Sequence, residues 1–532
     1  MRTFHSYGPV NSKKNYYVPR TKLVEQCFRS LIGDTEDLGH YFTIWGARQT
    51  GKTWLYRQSL KNIKKQYGDQ FIVGEISMQG VVFNENDDQI AVFFRNIPGI
   101  LKGEFSILPP EIHSWVDWKK LFSKDSSIFD RPLILVIDEF DKLPPQIIDS
   151  LVSLFREMYL NRKSYILHGL ALVGVRAVLG IESKTGSPFN VQRSLHITNL
   201  SFDEVKDMFD QYQEESKTHI DAEVVEKLYE KTMGQPGLVG WFGELLTEKY
   251  NPDASNIIDI KMWNHVYLSA CELEHNNTVQ NMIKKATTEY KSNVIQLFTD
   301  SNIHFSFRYD WCNYMYMHGL IGYEKVLDEN QPYHVCRFSS PFIQTSLYSA
   351  FVGEIKENQS HPLLALDPLD TLDDVFSGYD LNIVALLSRY KDYLKRMKDS
   401  GENPWKDQPR RKSDYHLTEA VGHFHLYHWL CMALQKRCTI RPEFPTGNGK
   451  VDLHLLCQED HKKGLIEVKS FVNAYMLKDS MKQAAKYASK TNHDTVAVAM
   501  FAPFNDENVL TQLSVSEIVE NVNVHVVAIG QG

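Results

Sequence analysis

Residues 46–53 read Gly-Ala-Arg-Gln-Thr-Gly-Lys-Thr, a full match to G-x-x-x-x-G-K-[ST], and they leave few folds open. The residues before them, HYFTIW, are aromatic and β-branched, and those after, TWLYRQSL, have helical spacing. Strand, glycine loop and helix in that order predict a parallel sheet with the loop at a strand's carboxyl end. Glycines let successive N–H groups curl around phosphates, and a lysine neutralises their charge. A threonine hydroxyl suits a hard cation. Gly46, Ala47, Arg48, Gln49, Thr50, Gly51, Lys52 and Thr53 are therefore candidate ligands of ATP, with Thr53 directed to Mg2+.

A second element completes that chemistry. In RPLILVIDEFDKLPP the apolar run Leu133–Ile137 predicts a buried parallel strand ending at Asp138-Glu139. Asp138 would hold Mg2+ through water, and Glu139 would orient or activate a hydrolytic water. Further along, SLVSLFREMYLN is helical, ILHGLALVGV is another buried strand, and SFDEVKDMFDQYQEES begins as a capped amphipathic helix. Such alternation argues for a parallel sheet covered by helices.

The segments NYYVPRTKLVEQ, GARQTGKT, ILVIDEFD, GSPFNVQRSLHITNLSFDEV and GQPGLVGWFGELL carry a resemblance. Residues 1 to about 350 resemble the AAA-like ATPases close to the STAND and archaeal-type groups. The resemblance implies that Val18, Pro19 and Arg20 lie near adenine, and that Gln235 and Pro236 open a lid helix near the nucleotide. Arg176 and Arg193 are candidate sensors of the γ-phosphate, and no polar residue stands out after the fourth core strand. Beyond the lid the order of elements resembles a winged helix. In that resemblance YDWCNYMYMHGL is the second helix and RFSSP lies on the wing. The helix is aromatic and nearly uncharged, so it is expected to pack on the ATPase and relay its state rather than enter a DNA groove. The stretch EIKENQSHPLLALDPLDTLDD has the composition of a linker.

The last quarter of the chain holds a different set: Glu419 in TEAVGHFHLYHWL, Asp452 in GKVDLHLL, and Glu467 with Lys469 in GLIEVKSF. Positions i and i+2 of a strand share a face, so Glu467 and Lys469 point the same way. Converging carboxylates suit Mg2+, and a lysine beside them would prepare a water or steady a phosphorane. In order and spacing this region, about 380–532, resembles the PD-(D/E)XK nuclease superfamily. The resemblance implies a catalytic metal on Asp452, Glu467 and the carbonyl of Val468, with Glu419 binding it directly or through water. Lys469 then acts on the nucleophile, and the helix KDSMKQAAKYASK contributes Gln483 and Tyr487. Val451 stands where the superfamily's name has proline. His416, His423, His425 and His428 crowd the first helix, with His423 on the Glu419 face. Arg410, Arg411 and Lys412 form a basic loop suited to a DNA backbone.

Composition narrows the class. The net charge is −8 over 532 residues, against a protein that coats nucleic acid. Residues 381–532 carry 20 Lys and Arg against 17 Asp and Glu, so this most basic part also holds the proposed metal carboxylates. No apolar run reaches the ~18 residues of a membrane span, and the first residues lack a secretory apolar stretch. Seven scattered cysteines, without a CxxC pair, are expected to be reduced in a cytoplasmic protein.

The expected fold is a multidomain α/β chain. It comprises a P-loop parallel-sheet ATPase with helical lid (1–255), a winged-helix-like domain (256–355), a linker (356–380) and a restriction-endonuclease-like α/β/α domain (381–532). The expected function is an ATP-regulated DNA endonuclease using Mg2+ or Mn2+, in prokaryotic defence against phage or plasmids. DNA is preferred to RNA as partner; self-association and a protein sensor are further expected partners, and a membrane is not. Two alternatives stay open: a nucleotide-switched sensor or scaffold that binds without cutting, and a mobile-element nuclease.

Overall fold

The computed structural model describes residues 1–8, 10–33, 38–84, 87–107, 109–126, 128–174, 194–252, 257–298, 300, 302–328, 331–357, 363–406, 408, 410, 416–435, 437–443, 452–457, 462–471 and 474–531. For residues 328, 331, 355–357, 443, 452 and 474–476 only the backbone is described. The chain forms two compact units: Met1–His275 with Phe307–Leu320 and Ser339–Phe342, and Asn276–Ser306 with Ile321–Phe338 and Ile343–Gly532.

The first unit begins with α1 (Thr21–Ile32), β1 (Tyr41–Trp45), α2 (Lys52–Tyr67), β2 (Ile72–Ser77), α3 (Gln89–Phe105) and α4 (Trp115–Leu121). Next come β3 (Leu133–Asp138), α5 (Pro145–Leu160), β4 (Leu167–Gly174) and β5 (Ser194–His196). The five strands are parallel, in the order β2-β3-β4-β1-β5. One face of the sheet packs under α1 and α2 through Val24, Leu31, Leu55 and Leu60, and the other under α3 to α5 through Phe93, Trp118 and Phe155. With helices on both faces, β4 is buried at every position, which its run LHGLALVG anticipates. Helices α6 (Phe202–Ser216), α7 (Ala222–Thr232), α8 (Pro236–Glu244) and α9 (Ile260–Glu272) follow. A capping box of Ser201 and Glu204 starts α6. Pro236 at the first turn and the Gln235 side chain at the cap start α8.

The second unit opens with α10 (Asn277–Thr288) and α11 (Lys291–Gln296), after which α12 (Asp310–Met317) belongs to the first. The antiparallel hairpin β6 (Ile321–Asp328) and β7 (Gln331–Phe338) and most of α13 (Pro341–Glu357) are again in the second. Helix followed by hairpin is thus present in the expected order, but the two elements fall in different compact units. RFSSP runs from the end of β7 into α13 rather than along a hairpin tip.

After α14 (Asp373–Phe376), α15 (Ile383–Asp399) and α16 (Glu419–Leu434) come β8 (Cys438–Glu443), β9 (Asp452–Cys457), β10 (Lys463–Ser470), α17 (Ala474–Lys490), β11 (Thr495–Ala502), α18 (Glu507–Leu513), β12 (Ser516–Val519) and β13 (Val522–Gly530). They build a mixed six-stranded sheet, β12-β13-β11-β10-β9-β8. The β8-β9-β10 part is antiparallel and β10-β11-β13 parallel. Ile466, Val468 and Ala497 pack under α15 and α16, while Leu465, Val496 and Val498 pack under α17 and α18.

Two expectations change here. The Pro- and Asp-rich stretch before residue 380 supplies Leu372 and Val375 to the core of this unit. Its Asp370 and Asp374 grip Arg389 at 2.6 Å each, so acidity that resembles a linker is used in packing. Cys438 and Cys457 are paired as a disulfide. They face each other across β8 and β9, a register that spacing along the chain does not reveal. Among the described residues no helix is long and apolar enough to cross a membrane.

Candidate functional site

The glycine loop lies where β1 hands over to α2. Gly51, at φ 89°, caps α2 in the left-handed conformation, and Gln49 has φ 60°. A side chain on Gly46 would stand 2.7 Å from the Ile197 carbonyl, so glycine is needed there for packing. Lys52 curls back to donate to the carbonyls of Gly46 (3.0 Å) and Ala47 (2.8 Å). Burial pushes its ammonium pKa down to about 8, against the opposing pull of Asp141, Asp138 and Glu139. Thr50 donates to the Ala47 carbonyl at 2.9 Å, and Arg48 is exposed.

Thr53 and Asp138 meet as the motifs require, with Thr53 Oγ1 3.4 Å from Asp138 Oδ2. The Tyr56 hydroxyl, one turn along α2, donates to the same oxygen at 2.8 Å. The Glu139 backbone N–H donates to Asp138 Oδ1 at 2.9 Å. Hydroxyl and carboxylate oxygens side by side fit a hard divalent cation. Glu139 itself has φ 53°, and its carboxylate pairs with Lys142 at 3.3 Å.

Arg20 is tied to the stretch that enters α6. It donates to the carbonyls of Thr198 (2.8 Å) and Asn199 (3.2 Å) and pairs with Glu204 at 3.5 Å. Before it, Val18 is half-buried and Pro19 exposed. Gln235 and Pro236 bring the start of α8 to the loop, where a Cβ on Gly237 would lie 2.0 Å from Gln49 Oε1. Gln49 in turn donates to the Ser6 carbonyl at 3.3 Å. At the carboxyl end of β1, Trp45 stacks on His196 at 4.1 Å, and the Tyr316 hydroxyl of α12 reaches His196 Nε2 at 3.1 Å. Arg176 and Arg193 lie outside the described residues.

In the second unit three of the expected side chains, Glu419, Glu467 and Lys469, lie together. Lys469 Nζ stands 3.0 Å from Glu467 Oε1 and 3.7 Å from Glu419 Oε2. Glu467 is only 2% exposed. Ser470 donates to the Leu417 carbonyl at 2.9 Å, which fixes the start of α16, and with it Glu419, beside the end of β10. Asp452 is the residue directly opposite Glu467 in the β9–β10 register, and its side chain is outside the description. Tyr487 lies on α17 with its hydroxyl 3.3 Å from His454 Nε2, and Gln483 is an exposed residue one turn earlier.

Among the described residues no three His, Cys, Asp or Glu side chains form a metal-holding group, a count without the Asp452 side chain. The donor set is nonetheless of the right kind, since carboxylates gathered around one lysine are what a hard cation would share.

The histidines of α16 are structural. His423 is 1% exposed and meets the Tyr348 hydroxyl at 3.0 Å; His425 is 2% exposed and meets that of Tyr390 at 2.7 Å. Burial pushes both imidazole pKa values down to about 3. Sharing a helical face with Glu419 therefore does not bring His423 to solvent. Arg410 is described, whereas Arg411, Lys412 and Val451 are not.

Residues 5–259 match the family model of an AAA-like domain, and residues 402–503 that of a Domain of unknown function (DUF8371). The N-terminal region is a P-loop ATPase-like domain. No curated protein matches the chain. Among solved structures, the Walker-type ATPase of Pyrococcus abyssi is similar at 14% identity, over 65% of this chain and 99% of that one, with a TM-score of 0.43. The ORC1 protein of Aeropyrum pernix in complex with DNA shares 13% identity over 66% and 95%, at 0.33. The RuvB Holliday junction branch migration motor of Thermotoga maritima shares 12% over 59% and 92%, at 0.32.

Tyr56 and Asp141 were not among the sequence candidates. Tyr56 follows Thr53 by one helical turn and so shares its face, which spacing could have shown. Asp141 is the second aspartate of DEFD, and only the turn after β3 reveals its direction.

Proposed function

We propose that the protein is an ATP-regulated, metal-dependent DNA endonuclease acting in prokaryotic defence against phage or plasmids. The observation that carries this is the buried Glu467 held against Lys469, with Glu419 beside them and Asp452 opposite. An ordinary Glu-x-Lys pair on a strand is solvated, whereas this glutamate is 2% exposed. Burying a carboxylate is costly unless it is used or compensated. Asp452, Glu467 and Glu419 would hold Mg2+ or Mn2+, which supplies charge stabilisation at the phosphate. Lys469 orients the attacking water and steadies developing negative charge. ATP is bound by Lys52 and the loop N–H groups, with Thr53 and Asp138 toward its Mg2+ and Arg20 and Pro236 at its periphery. Regulation requires that ATP bind two states of the chain unequally.

The test is incubation of purified protein with plasmid, linear DNA and RNA, with and without ATP and with Mg2+ or Mn2+. Asp452→Ala, Glu467→Ala and Lys469→Ala should each lose cleavage and keep ATP binding. Wild-type cutting by all three would reject the site. Nucleic-acid binding without cutting in any condition would favour a nucleotide-switched scaffold, and identical cleavage with ADP, ATP and no nucleotide would reject regulation.

A further inference from the structure

Resting on the nuclease reading of the second unit, we infer that the outer face of α17 is the surface that holds the phosphate backbone of duplex DNA for that site. The face carries a row of four lysines, Lys478, Lys482, Lys486 and Lys490, four residues apart and all exposed. Residues at that spacing stand one above another on a helix, about 6 Å apart along its axis, so the row is about 18 Å long. The inner face is apolar: Met481, Ala484, Ala485 and Ala488 pack with Leu465, Val496 and Val498 of the sheet.

The row differs from an ordinary solvated helix face. Lys206 of α6 and Lys227 of α7 each meet an acid one turn away, at 2.6 and 3.0 Å. On α17 the only acid is Asp479, and among the described residues none of the four lysines is in an ion pair. Like charges one helical turn apart repel, so the row weakens its own helix until a polyanion lies along it. A duplex about 18 Å long carries about ten phosphates, enough to give every lysine a partner. In a chain whose net charge is −8, this concentration of one sign is local to α17.

Position ties the row to the carboxylates. Leu465 packs under α17, whereas Ile466 and Val468 pack on the other face of the sheet. Alternation along β10 then puts Glu467 and Lys469 on the α17 side. Strand β10 ends at Ser470 and α17 begins at Ala474, so the row starts at the end of the sheet where Glu467, Lys469 and Glu419 meet. Farther along, the Tyr487 hydroxyl, 3.3 Å from His454 Nε2, holds the helix to β9, the strand that begins at Asp452. A backbone gripped along the row therefore extends to the carboxylate end.

The experiment measures binding of the intact chain to a fluorescently labelled DNA duplex in EDTA, from about 50 to about 200 mM salt, so that cleavage does not enter. Wild type is compared with Lys478→Gln/Lys482→Gln/Lys486→Gln/Lys490→Gln, with arginine at the same four positions, and with Lys61→Gln/Lys64→Gln/Lys65→Gln, three exposed lysines of α2. The fourfold glutamine variant should bind about tenfold more weakly or worse at low salt. Its slope of log affinity against log salt should shrink by about 0.9 per lysine, or about 3.5 in all. The arginine variant and the α2 variant should keep the wild-type slope. An unchanged slope in the fourfold glutamine variant overturns the inference. So does an equal loss in the α2 variant, or binding of wild type to anionic phospholipid vesicles and not to DNA. Cleavage by wild type together with an unchanged slope would leave the metal site standing without this surface. Lysine-dependent binding with no cleavage in Mg2+ or Mn2+ would uphold the surface and remove the nuclease reading.

Discussion

Replacing Lys469 with methionine tests the central pair of the second unit through stability rather than catalysis. The Lys469 side chain is 14% exposed and that of Glu467 3%, with the charges 3.0 Å apart. Removing one member of a buried pair costs ~3–5 kcal/mol when the other stays charged. The charge has an escape, because a proton from solution can neutralise it. For a carboxyl that ordinarily titrates near pH ~4.3, taking up that proton costs ~1.4 kcal/mol for each pH unit above it. The loss is therefore capped at roughly 3.5–4 kcal/mol at pH 7 and at roughly 1.5 kcal/mol at pH 5.5. The assay is native-state hydrogen exchange of peptides from β10 and α16, compared between variant and wild type at the two pH values. Adding Glu467→Gln should return most of the lost stability at pH 7, because no charge is left uncompensated. A destabilisation equal at both pH values, or a double variant no better than Lys469→Met, would refute the reasoning.

Three further outcomes follow from the geometry. Lys52→Ala should abolish ATP binding in calorimetry, since only the loop's N–H groups would face the phosphates. Gly237→Ala should displace the Gln49 side chain, 2.0 Å from the new Cβ, and weaken ATP binding by a smaller factor than Lys52→Ala; equal affinity would detach α8 from the site. His423 and His425 have folded pKa values near 3. An unfolded histidine takes its proton near pH ~6.5. Between those values the unfolded chain holds more protons, so stability rises with pH and is lost as pH falls from ~6.5 toward 3, by up to ~1.4 kcal/mol per unit for each histidine. Urea titrations of His423→Asn/His425→Asn should show a shallower pH slope than wild type.

What the chain order revealed, and what it hid, divides by physical cause. HYFTIWGARQTGKTWLY and LILVIDEFD write strand, loop and helix into local pattern, and the parallel sheet follows from those elements. The two-residue period of a strand likewise puts Glu467 and Lys469 on one face from the string GLIEVKSF alone. Facing direction is lost where the environment rather than the period decides it. His423 has the right helical phase beside Glu419, yet α16 is buried on nearly every side, so phase gives no route to solvent. Cys438 and Cys457 meet only through a strand register that follows from pairing, not from spacing.

The acids after β3 are the sharpest case. Asp138, Glu139 and Asp141 are equivalent as charges in the string DEFD, and the strand's period ends before it can sort them. The sorting comes from one left-handed residue, Glu139, and the turn it opens. That backbone reversal carries Glu139 out to Lys142 and brings Asp141 under the end of β4, where glycine leaves the room. An unfavourable φ at a non-glycine residue costs of order 1 kcal/mol or more. Here it has an evident return: it brings the Asp141 carboxylate to the carboxyl end of β4, beside Gly174. The conformation of Glu139 and the smallness of Gly174 therefore belong to one device. On that logic, enlarging Gly174 to alanine should lower the stability of the first unit, because the new Cβ would stand 2.8 Å from Asp141 Oδ1 and drive the carboxylate from its place; a thermal midpoint equal to that of wild type would refute it.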